Sequence, residues 1–150
     1  LETQAPEQAE QQFQRLLQQS TDASLAARAL LGLGRAKQQQ QAYGEALNIF
    51  ATVQAQASGE AAAEAQYRIG ETLFLQQQYA QALTALQRVK PASPTSKEWI
   101  ARAFLKMGEC YERLSNKAKA RQAYQSVIKL HKQDEFGREA ERKMKGLEDA

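Results

Sequence analysis

Residues 104–124, FLKMGECYERLSNKAKARQAY, read as helix on both sides of a short break, yet they hold a glycine well inside the first helix. A glycine there costs about 1 kcal/mol relative to alanine, so Gly108 has to return something in packing. Comparing the chain with itself supplies the reason. Gly34, Gly70 and Gly108 each follow a large apolar residue (Leu33, Ile69, Met107), and twelve residues beyond each stands an alanine: Ala46, Ala82 or Ala120. Four residues past the alanine comes Phe50, Leu86 or Tyr124, and seven past it Val53, Val89 or Val127. The alanines are 36 and 38 residues apart, the mark of an internal repeat.

Each unit reads as two helices with a short break. SLAARALLGLGRAKQQQ, EAAAEAQYRIGETLFLQQ and EWIARAFLKMGECYERL are the first helices; YGEALNIFATVQ, YAQALTALQRV and KAKARQAYQSVIKL are the second. The breaks are short enough to force antiparallel hairpins. Asn116 is placed to cap its helix, and Thr95 with Glu98 forms the pattern of a capping box before Trp99. Ser58, Gly59, Pro91 and Pro94 mark the breaks between units. In this reading Gly108 lets the second helix approach the first, with Phe104, Met107 and Tyr111 facing Tyr124 and Val127 in the core.

The expected organisation is a single domain of about eight helices: residues 6–19 a lone second helix carrying Ala9, Phe13 and Leu16, residues 24–57, 60–90 and 96–132 three full units, and residues 135–149 a closing helix. That last helix shows Phe136, Ala140, Met144 and Leu147 as an apolar stripe amid dense charge. The lone second helix at the start is expected to make the chain begin in mid-unit, as an excised piece of a longer protein would. Abundant Ala and Gln with eight Gly and three Pro favour helix throughout. The net charge of +3 is uneven: residues 97–150 hold 13 Lys and Arg against 9 Asp and Glu, residues 1–57 hold 4 against 5. Such interspersed charge fits a solvated helix face, and basic runs dense enough for nucleic acid are missing.

The repeat resembles the tetratricopeptide repeat, whose pattern is W-x2-L-G-x2-Y, then A-x3-F, then Pro. Phe104-x2-Met107-Gly108-x2-Tyr111 with Ala120-x3-Tyr124, Ile69-Gly70-x2-Leu73 with Ala82-x3-Leu86, and Leu33-Gly34 with Ala46-x3-Phe50 carry the likeness. No copy has Trp at the first position, and Lys37 stands where the first copy should have an aromatic. The resemblance implies an all-α, right-handed superhelical stack of antiparallel helix pairs that serves as a protein-interaction scaffold. Residues 60–148, with the closing REAERKMKGL, also resemble repeat domains of bacterial periplasmic proteins of the Tol–Pal system and of outer-membrane assembly lipoproteins, implying a periplasmic or cell-envelope setting, with the cytoplasm as the second choice.

Signals for chemistry are sparse. Cys110 is the one cysteine, which leaves no internal disulfide and no Cys/His set for zinc. It sits beside a core aromatic, where a buried thiol is expected. His131 lies among lysines and reads as solvated. LGLGRA lacks the strand and the Gly-Lys-Ser/Thr ending of a phosphate loop. Carboxylate pairs such as Glu109 with Glu112 and Glu139 with Glu141 read as ion-pairing partners on helix faces. The glutamine runs at 38–41 and 76–78 read as uncharged approaches to turns. The expectation is no enzyme, no cofactor, no metal and no membrane span.

What remains is a surface. In the family that this chain resembles, first helices line a concave groove, and carrying that over by position places Arg28, Leu31, Arg35, Tyr67, Arg68, Phe74, Arg102, Leu105 and Lys106 along it, beside Glu64, Glu71, Glu109 and Arg113. Some co-chaperone members clamp a carboxylate there. Arg102 and Lys106 meet the third-repeat pair of that clamp, whereas Leu31, Arg35 and Arg68 occupy its other positions. The expected partner is a peptide or protein segment with acidic and apolar residues. Two alternatives stand beside it: a solvated face on which the arginines pair with Glu64, Glu71 and Glu109, and a self-association module working through its end helices.

Overall fold

The computed structural model describes residues 4–19 and 22–149. Over those residues the chain forms α1 (Gln4–Gln19), α2 (Ala23–Gln39), α3 (Tyr43–Gln56), α4 (Gly59–Leu75), α5 (Tyr79–Leu86), α6 (Val89–Ala92), α7 (Lys97–Arg113), α8 (Lys117–Leu130) and α9 (Glu135–Asp149). The short α6 continues the course of α5 after a break, so the described part reads as eight helices, one of them interrupted. Each helix packs on its sequence neighbours, and α2, α4 and α7 also pack in series, which makes a helical-repeat solenoid.

The core follows the repeat. One apolar cluster joins Phe13 to Leu30, Leu31, Ala46, Ile49, Phe50 and Val53; a second joins Tyr67, Leu86 and Val89 to Ile100, Met107 and Cys110; a third joins Tyr124 and Val127 to Ala140 and Leu147. The Ala9 side chain lies outside the described residues. Three glycines set the spacing. A Cβ on Gly34 would come 2.9 Å from Phe50 Cδ1, one on Gly70 2.5 Å from Leu86 Cγ, and one on Gly108 2.5 Å from Tyr124 Cζ. The notch is therefore filled by the residue four beyond the alanine, not by the partner backbone alone. Ala46, Ala82 and Ala120 are fully buried, and at the second of them the backbone does come close, with the Ala82 carbonyl 3.5 Å from the Gly70 position.

Every first helix ends in the same way. The amide of Gln41 donates to the Gln38 carbonyl and that of Ala42 to Lys37; Gln77 and Gln78 repeat this on Phe74 and Leu73, Ser115 and Asn116 on Glu112 and Tyr111. This paired closure needs a left-handed residue, and Gln41, Gln77 and Ser115 supply it with φ of 61°, 62° and 59°. None is a glycine, so each carries the left-handed penalty. Ser115→Gly is expected to raise stability by about 1 kcal/mol, read from the denaturation midpoint in urea.

Of the two side-chain caps expected at helix starts, one forms. Asn116 caps α8, its side chain accepting from the Lys119 amide at 3.1 Å. The Thr95–Glu98 box does not form, because the N-cap of α7 is Ser96, whose hydroxyl donates to Ser93 Oγ at 2.8 Å, and Glu98 turns to Arg102. Pro91 stops no helix at its own position. It lies inside α6, and α5 breaks four residues earlier because the Gln87 carbonyl meets a residue with no N–H and a ring in the way.

A cleft between the seventh and ninth helices

The face along α2, α4 and α7 is built by helical spacing. Arg28, Leu31 and Arg35 come together with Glu64 around a depression of about 530 Å³ on α2 and α4. Arg35 Nη1 donates to Glu64 Oε2 at 3.1 Å, the same oxygen receives Arg68 Nε at 3.3 Å, and Arg68 Nη1 donates to Glu71 Oε1 at 2.9 Å. Gln38 adds a second tie from α2 to α4, donating to Glu71 at 3.0 Å and to the Thr72 hydroxyl at 3.1 Å. The glutamine run thus takes part in packing between units. Leu31 is buried beneath this polar ladder, so its contribution is to the core.

From α4 to α7 the contacts turn aromatic. Tyr67 and Trp99 rings lie 5.6 Å apart, with the Arg68 guanidinium 5.5 Å from the Trp99 ring and that of Arg102 5.2 Å from it. The Lys106 ammonium stands 4.6 Å from the Phe74 ring, which meets Tyr79 edge-on. Such stacking holds the cations over ring faces, with Arg68 and Lys106 largely covered and Arg102 more exposed. Tyr67 is almost fully buried; burial first, then the Glu71 carboxylate that accepts its hydroxyl, pushes its pKa well up.

A second cleft, about 540 Å³, opens between α7 and α9. Tyr67, Arg102, Leu105 and Lys106 form one side, and Phe136, Arg138, Glu139, Arg142 and Lys143 of α9 the other. Glu109 bridges them: Lys143 Nζ donates to Oε1 at 2.7 Å, and the Lys106 ammonium lies 2.7 Å from Oε2, off hydrogen-bond alignment. Burial alone would raise the Glu109 carboxyl, but the two ammonium groups outweigh it and hold it below the ordinary range. Arg142 pairs with Glu139, and Arg102 with Glu98 at 3.0 Å.

Residues 61–133 match the tetratricopeptide repeat family. That segment runs from α4 to α8, the second and third helix pairs, and includes Gly70, Gly108 and the aromatic stretch between them. Tetratricopeptide repeats generally mediate protein–protein interactions and are typically non-catalytic scaffolds. A comparison with curated proteins found no match. Among the described residues no helix is long and apolar enough to cross a membrane.

Sequence reasoning placed Tyr67, Arg102, Leu105 and Lys106 on one face, and the structure brings these four to one cleft. Phe74 joins them through Lys106, and Arg68 through Trp99. The α2 set of Arg28, Leu31 and Arg35 forms a separate depression, linked to α4 through Glu64 and, from Gln38, through Glu71. Four of the track's cations, Arg35, Arg68, Arg102 and Lys106, have carboxylate partners within the molecule. Trp99 and the α9 wall were missed. Trp99 stands three residues before Arg102, a spacing that shares a helix face, and Glu139, Arg142 and Lys143 share one in the same way.

Two further residues settle as follows. Cys110 is fully enclosed, and burial pushes its thiol up to about 12. His131 is not solvated as expected: its side chain is 12% exposed, its Nδ1 lies 2.6 Å from Asp134 Oδ2, and its ring stacks edge-on against Phe136.

Proposed function

We propose that the face formed by α2, α4 and α7, closed at one end by α9, binds an acidic segment of a partner protein that carries one or two large apolar anchors. The observation behind this reading is the α7–α9 cleft, a largely polar depression rich in cations, where Arg102 is held over the rings of Trp99 and Phe136 beside a small apolar strip at Leu105 and Phe136. Along the whole face Arg28, Arg35, Arg68, Arg102, Lys106, Arg138, Arg142 and Lys143 outnumber Glu64, Glu71, Glu98, Glu109, Glu135 and Glu139. The excess of positive charge steers an acidic partner, and the rings supply the desolvated contact. The likeness of residues 60–148 to envelope repeat domains makes a cell-envelope protein the first partner to seek.

The test is capture from bacterial envelope extract, then binding kinetics on the captured protein. Reversing Arg68 and Lys106 to Glu is expected to slow association about tenfold and flatten its salt dependence, and Phe74→Ala to speed dissociation. Capture undiminished in the triple variant, with its thermal melt intact, would move the binding surface to the outer helices.

A further inference from the structure

Across the cleft three cations, Lys106 of α7 with Arg142 and Lys143 of α9, share two carboxylates, Glu109 of α7 and Glu139 of α9. Lys106 and Lys143 both meet Glu109 at 2.7 Å, and Glu139 serves Arg142 and, at 3.6 Å, Lys143. The Lys106, Lys143 and Glu109 side chains are only 20%, 24% and 24% exposed, so the surplus charge is poorly hydrated. A partly desolvated ammonium gains more from a second carboxylate than a surface lysine does. Next to it lie Leu105 and Phe136, both partly buried, the small apolar strip of an otherwise polar cleft.

We infer that Lys106 and Lys143 form a seat for the Asp or Glu side chain of a bound segment, next to a large apolar residue resting on Leu105 and Phe136. This rests on the groove reading above and gives it a place: the ligand lies against α9, not along α2. The incoming carboxylate takes Lys143 while Glu109 keeps Lys106, so neither half-buried ammonium is left without a carboxylate partner. Two carboxylates and two ammonium groups then alternate across the cleft floor. α9 is thereby a wall of the binding site as well as the end of the solenoid.

The experiment is fluorescence anisotropy on the intact chain with a labelled, C-terminally amidated peptide holding one Phe between two Glu in a Ser/Gly background. A twin peptide has Gln for Glu. Lys143→Gln is expected to weaken the Glu peptide about tenfold, while Lys145→Gln, the same charge change at an exposed position of the same helix, stays within about twofold. Glu109→Gln, which frees Lys106 and leaves Lys143 only the longer contact to Glu139, is expected to tighten it, the opposite of what damage to the cleft would do. Equal effects of Lys143→Gln and Lys145→Gln would overturn the seat in favour of a diffuse field. If Phe74→Ala weakens binding and Lys143→Gln does not, the seat is overturned and the groove reading stands. Binding indifferent to both, or no binding of the Glu peptide, overturns the two together.

Discussion

Gly137→Ala is expected to detach α9 from the solenoid. A Cβ there would overlap the His131 carbonyl oxygen and come within 3.0 Å of its carbon, and both are backbone atoms that no rotamer change can move. Asp134 fixes the turn, its Oδ1 accepting from the Gly137 amide at 3.1 Å, and its Oδ2 lying 2.6 Å from His131 Nδ1. Overpacking of this kind costs about 3 kcal/mol, well above the roughly 1 kcal/mol that alanine gains over glycine in a helix. The measurement is hydrogen exchange with a thermal melt. Protection is expected to fall over residues 135–149 and to hold over residues 59–113. Gly146→Ala serves as the control: it lies on the same helix with nothing within 4 Å and is expected to be neutral or stabilising by up to about 1 kcal/mol.

Gly108→Ala is expected to cost more than Gly70→Ala, although the two glycines hold the same place in the repeat. The Gly70 position faces Leu86, as buried as Tyr124 but with no polar group to anchor it, so it can yield. Gly108 faces the ring of Tyr124, which is fully buried and whose hydroxyl is tied to the Glu112 carboxylate. The expected losses are about 3 kcal/mol at Gly108 and about 1 kcal/mol at Gly70, from denaturation midpoints. Tyr124→Leu placed on Gly108→Ala is expected to recover part of the loss, because a leucine is shorter and has no hydroxyl tied to Glu112. Additive losses in that double variant would show that the pair does not share the notch.

These two glycines also show what a sequence makes legible. A notch that admits no Cβ leaves the same small residue at the same place in each copy, so the register of Gly34, Gly70 and Gly108 could be read before any coordinates. The left-handed residues that close the first helices could not, because Gln41, Gln77 and Ser115 do not advertise positive φ as glycine does. Pro91 was visible as a breaker, but its effect falls on the carbonyl four residues earlier, which moved the break to Gln87. The cap of α7 moved by one residue because Ser96 found Ser93, a partner that only the folded turn supplies.

The candidate cleft divides in the same manner. Its α7 half follows from helical spacing, since Arg102, Leu105, Lys106 and Glu109 recur every three or four residues. Its α9 half depends on how one helix crosses another. That crossing is set by Gly137 against the end of α8 and by Ala140 and Leu147 against Tyr124 and Val127, long-range contacts that no local pattern encodes. His131 was read as solvated for the same reason: Phe136 and Asp134 reach it only after the chain turns back.

The most direct measurement of the account is a backbone amide chemical-shift map, recorded on the labelled chain as the Phe peptide flanked by Glu is added. The expected result is a set of shifts on Trp99, Arg102, Lys106, Phe136 and Lys143, extending toward Tyr67 and Phe74, with α3, α5 and α8 unmoved. Shifts gathered instead on α3, α5 and α8, with the α7–α9 cleft silent, would contradict it.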